Sequence, residues 1–367
     1  MSEMIFKENC KVAIFKAPES DNYRQVVMDY MMKMANITWT PKETFSIKWK
    51  GEPRFPINLV YEKGKTYHGM TYTDTKGTLD MFEQLLEDGE MTPNSEYYDE
   101  CFGNHCSASM IMSYQQVLDF PFRGLCKPNS ARGTMLKLVG NLHQPTEFGR
   151  NYDSLDVWNA NSKKDVMEAF ALLDMGDIVY YSNKHKSGHA RMVSRPSEVV
   201  RFENGEIDPE NSYVITVEQT NKFDTTEWAN GRNTTWRINH KYSFATMYEK
   251  RFKPVTFTIY TSGEKSKDAY LIYKGNNDAE SLLSGKLSGN VTSTFPLSYV
   301  RVTIKDDTGK VVMHSIKYNL PADYYADIAD LNADLKLDTL KKGTYTCTIR
   351  AGIARGGKDF EKFEFTI

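Results

Sequence analysis

The chain has no long apolar run, no surplus of one charge and few cysteines, and each shortage removes a class of function. No uninterrupted apolar stretch approaches the roughly 20 residues that a membrane helix needs. Lysines and arginines number 46 against 48 aspartates and glutamates, for a net charge of −2. Neither nucleic acid nor an anionic membrane surface is therefore expected as the main partner. The five cysteines are Cys10, Cys101, Cys106, Cys126 and Cys347, an odd number, so at least one thiol is free. They show no metal-type spacing, and a disulfide scaffold would be denser. Neither a metal nor an organic cofactor is expected. The opening residues, Met1-Ser-Glu-Met-Ile-Phe-Lys-Glu-Asn, carry acids where a signal peptide has a basic region, and no apolar core follows. The expectation is a cytoplasmic chain, or one whose leader is absent from this sequence. Internal repeats and low-complexity linkers are missing too.

What is present is an ordinary globular composition, 40% hydrophobic and 26% charged over 367 residues, enough for two or three domains. Aromatics make up 13%, with 22 tyrosines, which suits β-rich surfaces and glycan or peptide grooves. Lys11–Lys16 reads as a short strand. Ser20-Asp21-Asn22 offers an N-cap for a helix through about Ala35, with Val26, Val27, Tyr30, Met31 and Met34 as a core stripe. Residues 37–73 turn extended, Thr78–Glu87 looks helical, and residues 120–133 read as irregular. Asn161-Ser162 caps a helix over Lys163–Leu173. Gly176-Asp177 then turns into a buried strand, and Arg191–Val193 and Tyr213–Thr220 read as further strands.

Beyond about Pro254 the text becomes a series of short alternating runs: Val255–Tyr260, Tyr270–Tyr273, Tyr299–Ile304, Val311–Ile316, Tyr345–Ile349 and Phe360–Ile367. Asp306-Asp-Thr-Gly309 is a hairpin turn between two of them. Tyr345 stands two residues before Cys347, as at the tyrosine corner of immunoglobulin-like strands, although no second cysteine is there to form their inter-sheet disulfide. The expectation is a domain over 1–254 followed by an all-β immunoglobulin-like sandwich over 255–367 with no chemistry of its own.

The chemistry concentrates on Phe102-Gly-Asn-His-Cys106-Ser-Ala. A Gly/Asn turn runs into a cysteine, and Met110, Ile111 and Val117 follow at helical spacing. A cysteine opening a helix lies against unpaired N–H groups and the positive end of the dipole, both of which favour thiolate. A lone buried cysteine is otherwise a small hydrophobe, so the reading turns on a base and an orienting group downstream. Gly188-His189-Ala-Arg-Met-Val193 places a histidine at the start of a strand. His185 stands four residues earlier, but Ser187 and Gly188 argue against a helical metal pair, and no metalloprotease-type glutamate accompanies it. Glu218 and Gln219 end the apolar run Val214–Val217, where a carboxylate needs a partner or solvent. Strand register decides which of the two faces the histidine.

In order, Gly-Asn-His-Cys106-Ser-Ala, Leu-Asp-Met-Gly-Asp-Ile-Val-Tyr-Tyr, Gly-His189-Ala-Arg-Met-Val and Ile-Thr-Val-Glu218-Gln-Thr resemble the papain-like superfamily of NlpC-type cell-wall peptidases and CHAP amidases. His105 and Ala108 depart from it, standing where that family has Asp or Asn before its cysteine and Gly two after. The resemblance implies an α+β papain-like (NlpC/CHAP-type) catalytic domain. It makes Cys106 the nucleophile, His189 the general base and then acid, and Glu218 the orienter, with Gln219 as the alternate. Tyr72, in a loosely matched upstream segment, or His105 is expected to assist at the oxyanion. The implied reaction is hydrolysis of an amide in peptidoglycan stem peptides through an acyl-enzyme, by a secreted or cell-envelope protein. The sandwich would then contact the wall or a glycan. The competing expectation is a non-catalytic, adhesin-like surface protein on a hydrolase scaffold.

Overall fold

The computed structural model describes residues 10–122, 125, 129–130, 133–145, 153–183, 187–223, 231–318, 320 and 324–367. The chain divides into two compact units, one running from Pro18 to Ser266 and the other joining the residues up to Ala17 with Lys267–Ile367. The boundary expected at residue 254 falls inside the strand Lys253–Phe257, which pairs with Ile178–Tyr180 of the larger unit. The strand Cys10–Phe15, read as the start of the first domain, pairs residue by residue with Ala269–Lys274 of the smaller one.

The larger unit is built on a six-stranded antiparallel sheet. In spatial order its strands are Leu136–Leu138, Lys253–Phe257, Ile178–Asn183, Ser187–Glu198, Tyr213–Gln219 and Trp236–Ser243. Helices Lys163–Ala171 and Phe244–Glu249 bring Val166, Phe170 and Phe244 into one apolar cluster with Val179, Val193 and Val214 of the sheet. Both helices open on a serine that accepts from the backbone three residues on, Ser162 from Asp165 N–H at 3.1 Å and Ser243 from Thr246 N–H at 3.2 Å. The helix Cys106–Tyr114 is buried on nearly every side, so it belongs to the interior rather than to an amphipathic surface. Met31 and Met34, from the helix Tyr23–Asn36, meet Ser113 of that helix and Asn104 of the preceding turn at 3.7 and 3.5 Å. The methionine stripe is core, as its spacing indicated.

The smaller unit consists of two four-stranded antiparallel sheets sharing one core, to which Leu271, Val291, Val302 and Ile349 all contribute. One sheet runs Cys10–Phe15, Ala269–Lys274, Asn290–Ser293, Tyr325–Asp327. The other runs Val311–Tyr318, Leu297–Lys305, Thr344–Ile353, Gly356–Thr366. The Asp306–Gly309 hairpin turn forms, with Gly309 at φ 84°. Tyr345 O–H donates to the Lys341 carbonyl at 2.7 Å, the bond that defines a tyrosine corner.

Neither half of the expected fold class holds. Among the described residues, the first sheet of the sandwich takes its unit's first, second, third and sixth strands, where an immunoglobulin domain takes the first, second, fifth and fourth. Among those same residues, strand outweighs helix at 37% against 21% and is spread over several sheets, which corrects the α+β papain-like expectation. The physical reason lies in short pairings that periodicity does not reveal. The helix expected over Thr78–Glu87 is Leu79–Glu83 only, because Asp88 and Gly89 take positive φ of 50° and 79° and fold Leu86–Glu87 back on Glu90–Met91. Asn129–Ser130 likewise pairs with Gly133–Thr134 where irregular chain was expected. Among the described residues, no helix is long and apolar enough to cross a membrane.

Candidate active site

Two chain segments are zipped together just ahead of Cys106. Asn104 N–H donates to the Thr71 carbonyl at 2.9 Å and Thr73 N–H to the Asn104 carbonyl at 2.8 Å, a single parallel bridge that aligns Tyr72 with Asn104. Threonine hydroxyls reinforce it: Thr71 to the Phe102 carbonyl at 2.7 Å, and Thr75 to the Cys101 and Gly103 carbonyls at 3.0 Å. Gly103 permits the approach, since a Cβ there would lie 2.3 Å from the Thr71 carbonyl oxygen. Alternation along residues 72–74 then turns Tyr72 and Asp74 toward the cysteine. His105 Nε2 and Asp74 Oδ1 are 2.9 Å apart.

Cys106 is the first residue of its helix and is 8% exposed. His105, at the N-cap, makes no side-chain capping bond, so no side chain from that position takes the helix's first N–H groups. The second wall of the site comes from the six-stranded sheet. Met192 pairs with Val217, which puts Arg191 across from Glu218 and leaves His189 diagonal to it on the same face. His189 Nε2 hydrogen-bonds Glu218 Oε2, leaving Nδ1 for the sulfur. Glu218 is wholly buried and fully engaged: Arg191 Nε donates to Oε2 at 2.9 Å and the Tyr242 hydroxyl donates to Oε1. The Arg191 guanidinium stacks between the Tyr242 and Phe252 rings at 4.1 and 4.2 Å, which keeps the buried charge pair in place.

The electrostatics follow from these neighbours. Burial alone would raise the Cys106 thiol, but the His189 and His105 rings, both within hydrogen-bonding reach of the sulfur, bring it well below its ordinary value. Burial works against a charged His189, yet the Cys106 sulfur and Glu218 raise the ring to about 9. Burial would likewise raise Glu218, but His189, Arg191 and Tyr242 hold it at about 2. Burial, followed by the nearby Cys106 charge, raises Tyr72, whose hydroxyl also meets Tyr98. A thiolate beside an imidazolium, at the N-terminus of a helix, can attack a carbonyl and stabilise the oxyanion that results.

The structure thus brings Cys106, His189, Glu218, Tyr72 and His105 into one site. Gln219 is not part of it. Its amide points away from His189 and donates to the Met70 carbonyl at 2.8 Å, so the alternate orienter is replaced by Glu218 on register alone. Asp74, Arg191 and Tyr242 were not anticipated. The spacing of Asp74 from Tyr72 and of Arg191 from His189, two residues in each case, is the one signal that could have raised them. His185 and Cys126 lie outside the described residues. Among the described residues, no group of three or more His, Cys, Asp or Glu side chains is arranged to hold a metal.

Compared with known proteins, the chain matches no family model and no curated protein. A solved structure of CopC from Methylosinus trichosporium OB3b aligns at 22% identity over 22% of this chain and 72% of its own length. Its TM-score is 0.15, too low to bear on fold or chemistry here.

Proposed function

We propose that this chain is a cysteine hydrolase that cleaves an amide bond through an acyl-enzyme. The observation that carries the reading is the continuous line from Cys106 through His189 to Glu218, with the cysteine at a helix N-terminus. The Cys106 thiolate adds to the carbonyl carbon, and the Cys106 backbone N–H donates to the oxyanion. His189 gives its proton to the departing nitrogen as the C–N bond breaks and a thioester forms. Water then adds to the thioester while His189 takes its proton, the C–S bond breaks, and the carboxylic acid leaves with the thiolate restored. Glu218 holds the tautomer and orientation of His189 throughout.

The substrate class, peptide stems of peptidoglycan, comes from the motif resemblance around Cys106, His189 and Glu218. Half-exposed Trp49 and Phe55 add to it, lying against Tyr98 at ring separations of 4.7 and 5.5 Å, and Tyr98 touches Tyr72 beside the cysteine. Such a wall suits an extended peptide. A secreted or envelope location follows from that substrate, with the sandwich as the unit that meets the wall. The test is incubation of the full chain with stem peptides and with whole peptidoglycan, reading new amine and carboxyl ends by mass spectrometry. Cleavage that disappears in Cys106→Ala supports the reading. Binding of peptidoglycan with no cleavage, unchanged in Cys106→Ala, would replace it with the adhesin-like one.

A further inference from the structure

The hydrolase reading uses one imidazole, yet a second reaches the same sulfur. His105 and His189 come from separate segments, the N-cap of the Cys106 helix and the start of the strand Ser187–Glu198. Each carries its own carboxylate on the nitrogen Nε2: Asp74 for His105 at 2.9 Å, and Glu218 for His189. Ser107 Oγ lies 3.2 Å from His105 Nδ1, so the hydroxyl and the Cys106 sulfur both draw on that ring. Histidine is a poor N-cap, and this one does not cap. Its extended backbone, φ −132° and ψ 176°, turns the side chain to Asp74 instead. The bridge of residues 71–73 to Asn104 exists at the point where it delivers that aspartate.

We propose that Cys106 is served by two acid–imidazole pairs, His105–Asp74 holding the thiolate in place and His189–Glu218 carrying the proton. The pairs differ in the way this division requires. The Glu218 side chain is 1% exposed and locked by Arg191 and Tyr242, whereas the Asp74 side chain is 38% exposed. When the amine departs with the His189 proton, the sulfur is held in the thioester and carries no charge. His105 keeps its proton through the cycle and meets the thiolate again when the thioester is cleaved. The division of labour rests on the hydrolase reading; the pairing itself does not. The charged and titratable groups around the sulfur are His105, His189 and Tyr72, with Tyr98 beyond Tyr72. Those around Asp74 are His105, Lys76 and Arg54, with Tyr72 and Tyr98 also facing it.

The test is the pH dependence of Cys106 alkylation by iodoacetamide in the full chain, with the site read by peptide mass spectrometry, alongside turnover. In His105→Ala the midpoint moves up and the rate on the acid side falls about tenfold, the size of one pK unit. Asp74→Asn, at a half-exposed position that folding tolerates, moves the midpoint the same way and adds nothing in the His105→Ala background. In His189→Ala turnover is lost while neutral-pH alkylation persists, and only the double variant His105→Ala/His189→Ala shows an ordinary or slower thiol. If His189→Ala alone shifts the midpoint as far as the double variant, or if His105→Ala leaves it in place, the second pair is overturned and the hydrolase reading stands. A wild-type Cys106 that titrates as an ordinary thiol removes both.

Discussion

Cys347 sits on the strand Thr344–Ile353 of the sandwich, wholly buried, and burial followed by the Glu361 charge pushes its thiol up to about 12. Cys106 is almost as buried in the larger unit, yet its thiol is driven the other way. Cys101, only five residues from Cys106, behaves like Cys347 and also rises to about 12 through burial. Depth is therefore not what sets the direction in which these thiols shift; imidazole neighbours are. The two units repeat the contrast with glutamate. Glu361 is buried and accepts from the Tyr273 hydroxyl at 2.8 Å, from Asn277 N–H at 3.0 Å and from Lys11 at 3.2 Å. Glu218 has a tyrosine and an arginine in equivalent roles, but its remaining bond goes to a histidine. One carboxylate ends in structure and the other passes its influence to a thiol.

The largest effect expected from breaking that contrast is at the cysteines themselves. Cys106→Ala should lower kcat on stem peptides by on the order of 10⁴-fold or more, whereas Cys347→Ala should leave it unchanged; equal losses in both would erase the difference between the units. Next are the glutamates. Glu218→Gln should cost about 10²- to 10⁴-fold in kcat by weakening the hold on His189, and about 3–5 kcal/mol of stability by leaving Arg191 without its charge partner. Glu361→Gln should lower the unfolding midpoint with kcat intact, measured by thermal melts beside steady-state rates.

A smaller and graded effect is expected from pH. The folded value of His189 is raised from 6.5 to about 9, so its contribution to stability is complete below 6.5 and is lost as pH rises through about 9, together with turnover. Glu218 is depressed from 4.5 to about 2, so its contribution is present above 4.5 and is lost as pH falls toward 2. Stability against pH by denaturant titration should therefore show a plateau between these limits; a loss centred on 6.5 would contradict the His189 environment. The least effect belongs to Gln219→Met, which removes the bond to the Met70 carbonyl but also an amide oxygen that has no partner among the described residues. It should cost about 1 kcal/mol and leave kcat alone.

Much of the site was legible because its signals are local. A turn into a cysteine, a glycine before a histidine and an acid at the end of an apolar run each announce themselves within a few residues. Choosing Glu218 over Gln219 was not legible, since a shift of one residue in the Met192–Val217 pairing would exchange them. Asp74 was hidden for a different reason: nothing near it in sequence shows that residues 71–73 will lie along Asn104. At the level of fold, alternation marked Val255–Tyr260 as a strand and assigned it to the sandwich, whereas the strand is Lys253–Phe257 and the sandwich does not claim it. The larger unit does, through Ile178 and Leu136. Strand pairing is decided by partners far away in sequence, and a single chain read in order carries that information only where a hairpin turn joins the two.

The pairing of Phe15 with Ala269 makes the larger unit an insertion between the first and second strands of the sandwich. During synthesis the first strand emerges early and must wait, unpaired, until the whole of Pro18–Ser266 has been made. Any truncation that discards the first seventeen residues would strip one flank of Ala269–Lys274 and turn that strand into a bare edge. Bare edges recruit other chains. A sandwich expressed from residue 255 onward should therefore aggregate more than one that also carries Cys10–Phe15, whose own edge bears the exposed charge of Lys11.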